Sequence, residues 1–182
     1  FLVGTGVTIG VAGIATFRTG RIDVGDSLFN TSIGEISGDA YTTGNGNVAV
    51  GYAALTATTT GNNNTSVGNQ SLEANTTGAQ NTAVGRRALE ANTTASANTG
   101  IGFQALLVNT TGASNVSVGH ESLEANTTGS NNVAVGKNAL AANTTASANV
   151  AVGRDALESN TTGANNTAIG YYALTANTTA NH

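Results

Sequence analysis

The stretch Asn81-Thr82-Ala83-Val84-Gly85-Arg86-Arg87-Ala88-Leu89-Glu90-Ala91-Asn92-Thr93-Thr94-Ala95-Ser96-Ala97 decides how the chain is read, because it recurs. Val-Gly or Ile-Gly pairs stand at 33–34, 50–51, 67–68, 84–85, 101–102, 118–119, 135–136, 152–153 and 169–170, each 17 residues after the last. Opening each unit at the Asn three residues earlier gives nine gapless units, beginning at Asn30, Asn47, Asn64, Asn81, Asn98, Asn115, Asn132, Asn149 and Asn166 and running to His182. Residues 1–29 lie outside this register and form a lead-in, in which Val7, Ile9 and Val11 alternate with Thr8 and Gly10 as a strand with one buried face would.

Within the unit, position 1 is always Asn, position 4 Val or Ile, position 5 Gly, and position 8 Ala or Ser. Position 9 is Leu except at Gly38, positions 13 and 14 are Thr-Thr, and position 15 is Gly or Ala. A short unit with a few fixed apolar columns cannot bury its own apolar face, so neighbouring units must stack. Seventeen residues are too few for a helical-hairpin repeat and suit one coil of a parallel β-solenoid. The fold class expected is therefore all-β, with nine coils making a rod roughly 43 Å long at about 4.8 Å per coil.

In that expectation positions 2 and 4 point inward and the position-5 glycine turns a corner. A second arc brings Leu at position 9 and Ala at position 11 inward, with positions 10 and 12 outward. Helix-favouring text such as Arg87-Ala88-Leu89-Glu90-Ala91 leaves a short helical turn open as the alternative for this arc. The repeated Asn is expected to form amide ladders along the axis. One branched residue, one Leu and a few Ala per coil make a thin core against the ordering entropy, so self-association is expected. The small residues Ala83, Gly100, Ala88 and Ala105 are the expected places of close approach between chains.

The composition narrows the chemistry. With no Cys, Met, Pro or Trp and only two His among 182 residues, disulfides, thiolate metal sites and cysteine nucleophiles are absent. A net charge of −4 on 9% charged residues speaks against a nucleic-acid surface. The uncharged opening to Phe17 carries too many Gly and Thr for a membrane insertion. No phosphate loop or calcium-binding Asp column is present, and His120-Glu121, as strand neighbours facing opposite ways, make no acid–base pair. The chain is read as no enzyme, with no catalytic residue, metal site or cofactor.

The units Asn-Thr-Ala-Val-Gly-Arg-Arg-Ala-Leu (81–89), Asn-Val-Ala-Val-Gly-Lys-Asn-Ala-Leu (132–140) and Asn-Thr-Ala-Ile-Gly-Tyr-Tyr-Ala-Leu (166–174) resemble the head repeats of trimeric autotransporter adhesins and the repeats of phage tail fibres. The 17-residue length and the Asn-Thr-Thr-Gly extension lie closer to the tail-fibre type. The resemblance implies a homotrimeric fibre on a virion appendage or a cell surface. Positions 6 and 7 vary most, and in a solenoid the varying columns carry specificity. Tyr52, Arg86, Arg87, Phe103, His120, Lys137, Arg154, Tyr171 and Tyr172 form the candidate binding stripe, placed past the glycine corner toward solvent or a neighbouring chain. Aromatic and cationic side chains suit contact with a host-surface glycan or protein. The alternatives are a filament or spacer that binds nothing, and an ice-binding solenoid suggested by the threonine columns. Asn75-Thr76-Thr77 and its copies match the N-glycosylation acceptor pattern but are read as turn formers.

Overall fold

A computed structural model describes residues 28–181. Among these, each unit contributes one three-residue strand: β1 (Thr31–Ile33), β2 (Val48–Val50), β3 (Thr65–Val67), β4 (Thr82–Val84), β5 (Thr99–Ile101), β6 (Val116–Val118), β7 (Val133–Val135), β8 (Val150–Val152) and β9 (Thr167–Ile169). Each pairs in parallel with the next at an offset of 17 residues, as Thr82 with Thr99, giving one nine-stranded sheet in chain order. The all-β parallel solenoid expected from the repeat is the fold found. The ladder extends past the strand ends: Thr82 N–H donates to the Asn98 carbonyl and Gly85 N–H to the Val67 carbonyl, both at 2.8 Å.

The strand faces the opposite way from expectation. Position 3 is the inward residue, with Ala49, Ala83, Ala134 and Ala151 fully buried, while Val67, Val84 and Ile101 at position 4 keep more than a third of their surface in solvent. The reason is room. A Cβ added at Gly100, in position 3, would lie 3.2 Å from Leu89 Cγ, so the leucine column of the opposite arc fills the space a branched strand residue would need. Positions 3 and 8 are consequently core contacts within one chain rather than sites of approach between chains: Ala83, Ala88 and Ala105 are completely buried. These two columns switch together. Ala83 is matched by Ala88, whereas Ser66 meets Ser71 with their hydroxyls 2.5 Å apart, and Ser117 hydrogen-bonds Ser122 in the same way.

The second arc is neither strand nor helical turn. It is a run of turns with left-handed residues at positions 7 and 9, as Arg87 (φ 60°) and Leu89 (φ 53°). The N–H groups at positions 7 and 9 therefore point to opposite neighbours: Arg87 N–H donates back to Asn69 O at 2.9 Å and Leu89 N–H forward to Ala105 O at 2.9 Å. Those bonds offset the backbone strain that a non-glycine residue with positive φ carries, about 1–3 kcal/mol each. A third left-handed residue stands at position 17 of each of the first eight coils, and Phe29 (φ 63°) takes the same conformation just before the first Asn. Gly46 N–H to Leu28 O (3.1 Å) repeats the bond of Gln80 N–H to Asn62 O, so the solenoid register is already held at Leu28–Phe29. The expected strand around Val7 lies outside the described residues.

The interior has an apolar and a polar half. Leu at position 9 and the small residues at 3 and 8 form the first. Asn at positions 1 and 12 forms the second, and both columns are fully buried through the inner coils, so the position-12 Asn is inward rather than outward and the position-11 Ala only half-buried. The carbonyl of position 15 accepts from both columns, as Gly112 O does from Asn98 and Asn109 Nδ2, each at 2.9 Å. Along the axis Asn98 N–H donates to Asn81 Oδ1 (3.0 Å), and Asn109 Nδ2 to Asn92 Oδ1 (3.0 Å). These are the amide ladders expected from the sequence, one in an unexpected column. In the inner coils each amide oxygen accepts from the coil that follows, which is what makes so polar an interior tolerable; in the last coil Asn166 Oδ1 is buried with no donor among the described residues. At the first coil Gly38 and Tyr41 replace the Leu and Asn, and the Tyr41 ring packs against the core in the space the leucine would take.

Candidate functional site

The corner at position 5 aims the candidate stripe. All nine of these glycines have φ between 130° and 144°, a region that side chains exclude, and the turn throws the position-6 side chain outward. Tyr52, Arg86, His120, Lys137, Arg154 and Tyr171 are exposed and Phe103 is half-buried. Position 7 turns back because of its positive φ, so Arg87 is half-buried and Asp155 only 3% exposed; Tyr172, in the last coil, is open. The nine candidate residues thus divide into an outward column at position 6 and an inward-leaning column at position 7.

The coil spacing stacks the outward column. The Arg86 guanidinium lies 5.7 Å from the Phe103 ring centroid, and Phe103 stacks on His120 at 5.0 Å with 27° between the planes. Arg154 approaches the Tyr171 ring at 5.7 Å, and Tyr171 meets Tyr172 edge to face at 4.3 Å. The Tyr172 phenol is held above its ordinary value, first by its hydrogen bond with Tyr171 and then by the charge on that neighbour and on Asp155. His120 and Glu121 do not face apart as strand neighbours would: Glu121 carries a left-handed backbone, which brings its Oε2 within 3.2 Å of His120 Nδ1.

Position 7 engages position 10. Arg87 Nε donates to Glu90 at 2.5 Å and Gln70 Nε2 to Glu73 at 3.0 Å, while Arg154 Nε (2.9 Å) and Asn138 Nδ2 (3.0 Å) both donate to Asp155. The Glu124 carboxyl is raised above the usual carboxylate range by partial burial, and next by the charge of Glu121.

From residue 30 onward every Asp, Glu, Lys and Arg stands at position 6, 7 or 10, all on the turn side of the coil. The strand side and the threonine side, positions 12–17, carry no Asp, Glu, Lys or Arg in any unit. That segregation was open to sequence reading and comes from tallying charge by position rather than along the chain. On the threonine side each position-13 hydroxyl from Thr42 to Thr161 donates to the next coil's position-13 carbonyl, as Thr93 Oγ1 to Thr110 O at 3.2 Å. The acceptor-pattern residues Asn75, Asn92 and Asn109 are fully buried with their amides committed, so the folded chain offers no glycosylation site at them.

Among the described residues no group of three His, Asp or Glu is placed to hold a metal ion, and no helix is long and apolar enough to cross a membrane. Comparison of the chain with family models, curated proteins and solved structures finds no match.

Proposed function

We propose that the chain is a fibre segment of a virion tail fibre or extracellular appendage, self-associating along its strand side and presenting the turn side to a host surface. The observation that carries this reading is the segregation just described: from residue 30 onward every Asp, Glu, Lys and Arg sits on one side, and the other two carry none. A parallel sheet is ordinarily covered on both faces, yet here positions 2 and 4 leave β-branched residues of nine strands half in solvent. Covering that face is the natural role of a second and third copy, and parallel copies of one stripe bind through avidity rather than through a deep pocket.

Two experiments test it. Light scattering should return three times 17.9 kDa, about 54 kDa, and Val84→Asp with Ile101→Asp should reduce it to the 17.9 kDa of one chain while coil stacking, read by circular dichroism, persists. A parent chain that is already monomeric would remove the trimer. For attachment, Tyr52→Ala, Phe103→Ala and Tyr171→Ala combined should lower retention on host cells or glycan and protein arrays by at least about tenfold, if each ring supplies on the order of 0.5–1.5 kcal/mol. Unchanged retention would leave the rod as a spacer. One observation favours that second reading: Phe103 has Arg86 and His120 stacked along the axis on its ring, which leaves its edge rather than its face to a sugar.

A further inference from the structure

One coil departs from the repeat on its turn side. At positions 10 and 11, where other units place Glu, Asp, Thr or Ala followed by Ala or Ser, the unit at Asn98 carries Leu107-Val108. The stack sets these two beside Ala74 and Ala91 of the preceding coils, forming an open groove of about 310 Å³ rimmed by Glu73, Arg87 and Glu90. Val108, on its floor, is 37% exposed.

The rim gives the groove a sign. Its two carboxylates, Glu73 and Glu90, outnumber its one guanidinium, Arg87. Arg87 is taken up by Glu90. Glu73 forms no ion pair among the described residues and accepts from the neutral Gln70 Nε2 at 3.0 Å, which leaves the rim net negative. An apolar floor inside an acidic rim matches an aliphatic side chain with a cation next to it, and the floor presents no aromatic face for a sugar.

We propose that this groove docks a protein segment that places one aliphatic side chain beside a lysine or arginine. The inference goes beyond the position-6 stripe and stands whether or not that stripe binds a surface.

The repeat's own sequence supplies the control. Leu107→Glu with Val108→Ala restores what neighbouring coils carry and folds as they do, while deepening the negative charge. The probe is acetyl-Lys-Leu-Lys-amide, titrated to about 20 mM because a single-side-chain contact lies near the millimolar range. Methyl resonances of Ala74, Ala91 and Val108 should shift and saturate, with binding at least about tenfold weaker for acetyl-Lys-Ala-Lys-amide and for the restored variant. Equal binding by the alanine peptide or by the restored variant would overturn the proposal, because charge alone would then account for it. So would absence of saturation in the parent chain. A fall in solution mass on restoring the repeat would overturn it in favour of a contact between copies of this chain. Surface retention of the triple aromatic variant is a separate readout, so failure of one reading leaves the other visible.

Discussion

Gly85→Ala should split the melting of the rod, with the coils around the substitution opening at least about 6 °C below the parent while Gly100→Ala leaves the curve within a few degrees. Both replacements add one methyl group to a glycine in neighbouring coils, and the difference lies in what the group meets. A Cβ on Gly85 would stand 2.7 Å from the carbonyl carbon of Gly102 and closer still to its oxygen, on a backbone with φ 134°. Neither partner is a side-chain end that can swing away, and the same contact is repeated by Gly102 against Gly119. Strain of about 1–3 kcal/mol for the backbone adds to the displacement of the next coil, for a total of at least about 3 kcal/mol. At roughly 2–4 °C per kcal/mol for a chain of this size, 3 kcal/mol is a shift of about 6–12 °C. Because each coil touches only its neighbours, the loss falls on the interface between two coils and not on the whole rod, hence a split transition. At Gly100 the new methyl meets the Ala105 carbonyl oxygen at 3.2 Å and Leu89 at 3.2–3.3 Å, none closer than 3.0 Å, and the same column carries Ala in most other units. Differential scanning calorimetry of the two variants decides it; equal melting curves would mean that the glycine column is not what holds the coils in register.

The glycine, leucine and asparagine columns also show how far the sequence was legible. Period, coil number, parallel pairing and the glycine corner follow from the 17-residue spacing, because a gapless repeat admits only the same step each time. Which side of the strand faces in does not follow from alternation. Alternation says that positions 2 and 4 share a face, and a one-residue error reverses the whole strand. The leucine opposite settles it, and the trace it leaves in the text is the paired change at positions 3 and 8, Ala83 with Ala88 but Ser66 with Ser71. The left-handed arc is harder to see, since Gln70, Arg87 and Leu89 are not residues chosen for positive φ. Its sequence signals are Gly38 (φ 62°), standing in the leucine column of the first coil, and Asn138 (φ 55°) and Asp155 (φ 57°) at position 7. The candidate stripe was legible as a varying column, but its division into position 6 outward and position 7 folded back depends on that arc.

The buried amide columns lead to the second large effect. Asn98 is fully buried; it donates its own N–H to Asn81 Oδ1 (3.0 Å) and Nδ2 to Gly112 O (2.9 Å), and accepts from Asn115 N–H (2.9 Å). In Asn98→Asp the bond from Asn115 N–H survives, but a carboxylate oxygen now faces the Gly112 carbonyl with no proton between them. An unpaired buried charge costs about 3–5 kcal/mol, which corresponds to roughly 6–20 °C at neutral pH. The folded carboxyl is therefore raised above its unfolded value of about 3.9. Between those two values the folded state binds more protons than the unfolded one, so stability falls as pH rises and returns as pH falls toward about 4. Once protonated, the acid can donate to Gly112 O as the amide did. The melting temperature of Asn98→Asp should thus approach that of the parent on acidification. Asn98→Ala, which at every pH leaves the Asn115 N–H unsatisfied and takes one of its two donors from Gly112 O, should keep a constant deficit relative to the parent. Thermal melts of the three chains from pH 7 to pH 4 read this directly. A deficit in Asn98→Asp that does not shrink would mean that the buried charge is not its cause, and no deficit at pH 7 would mean that the ladder tolerates the charge.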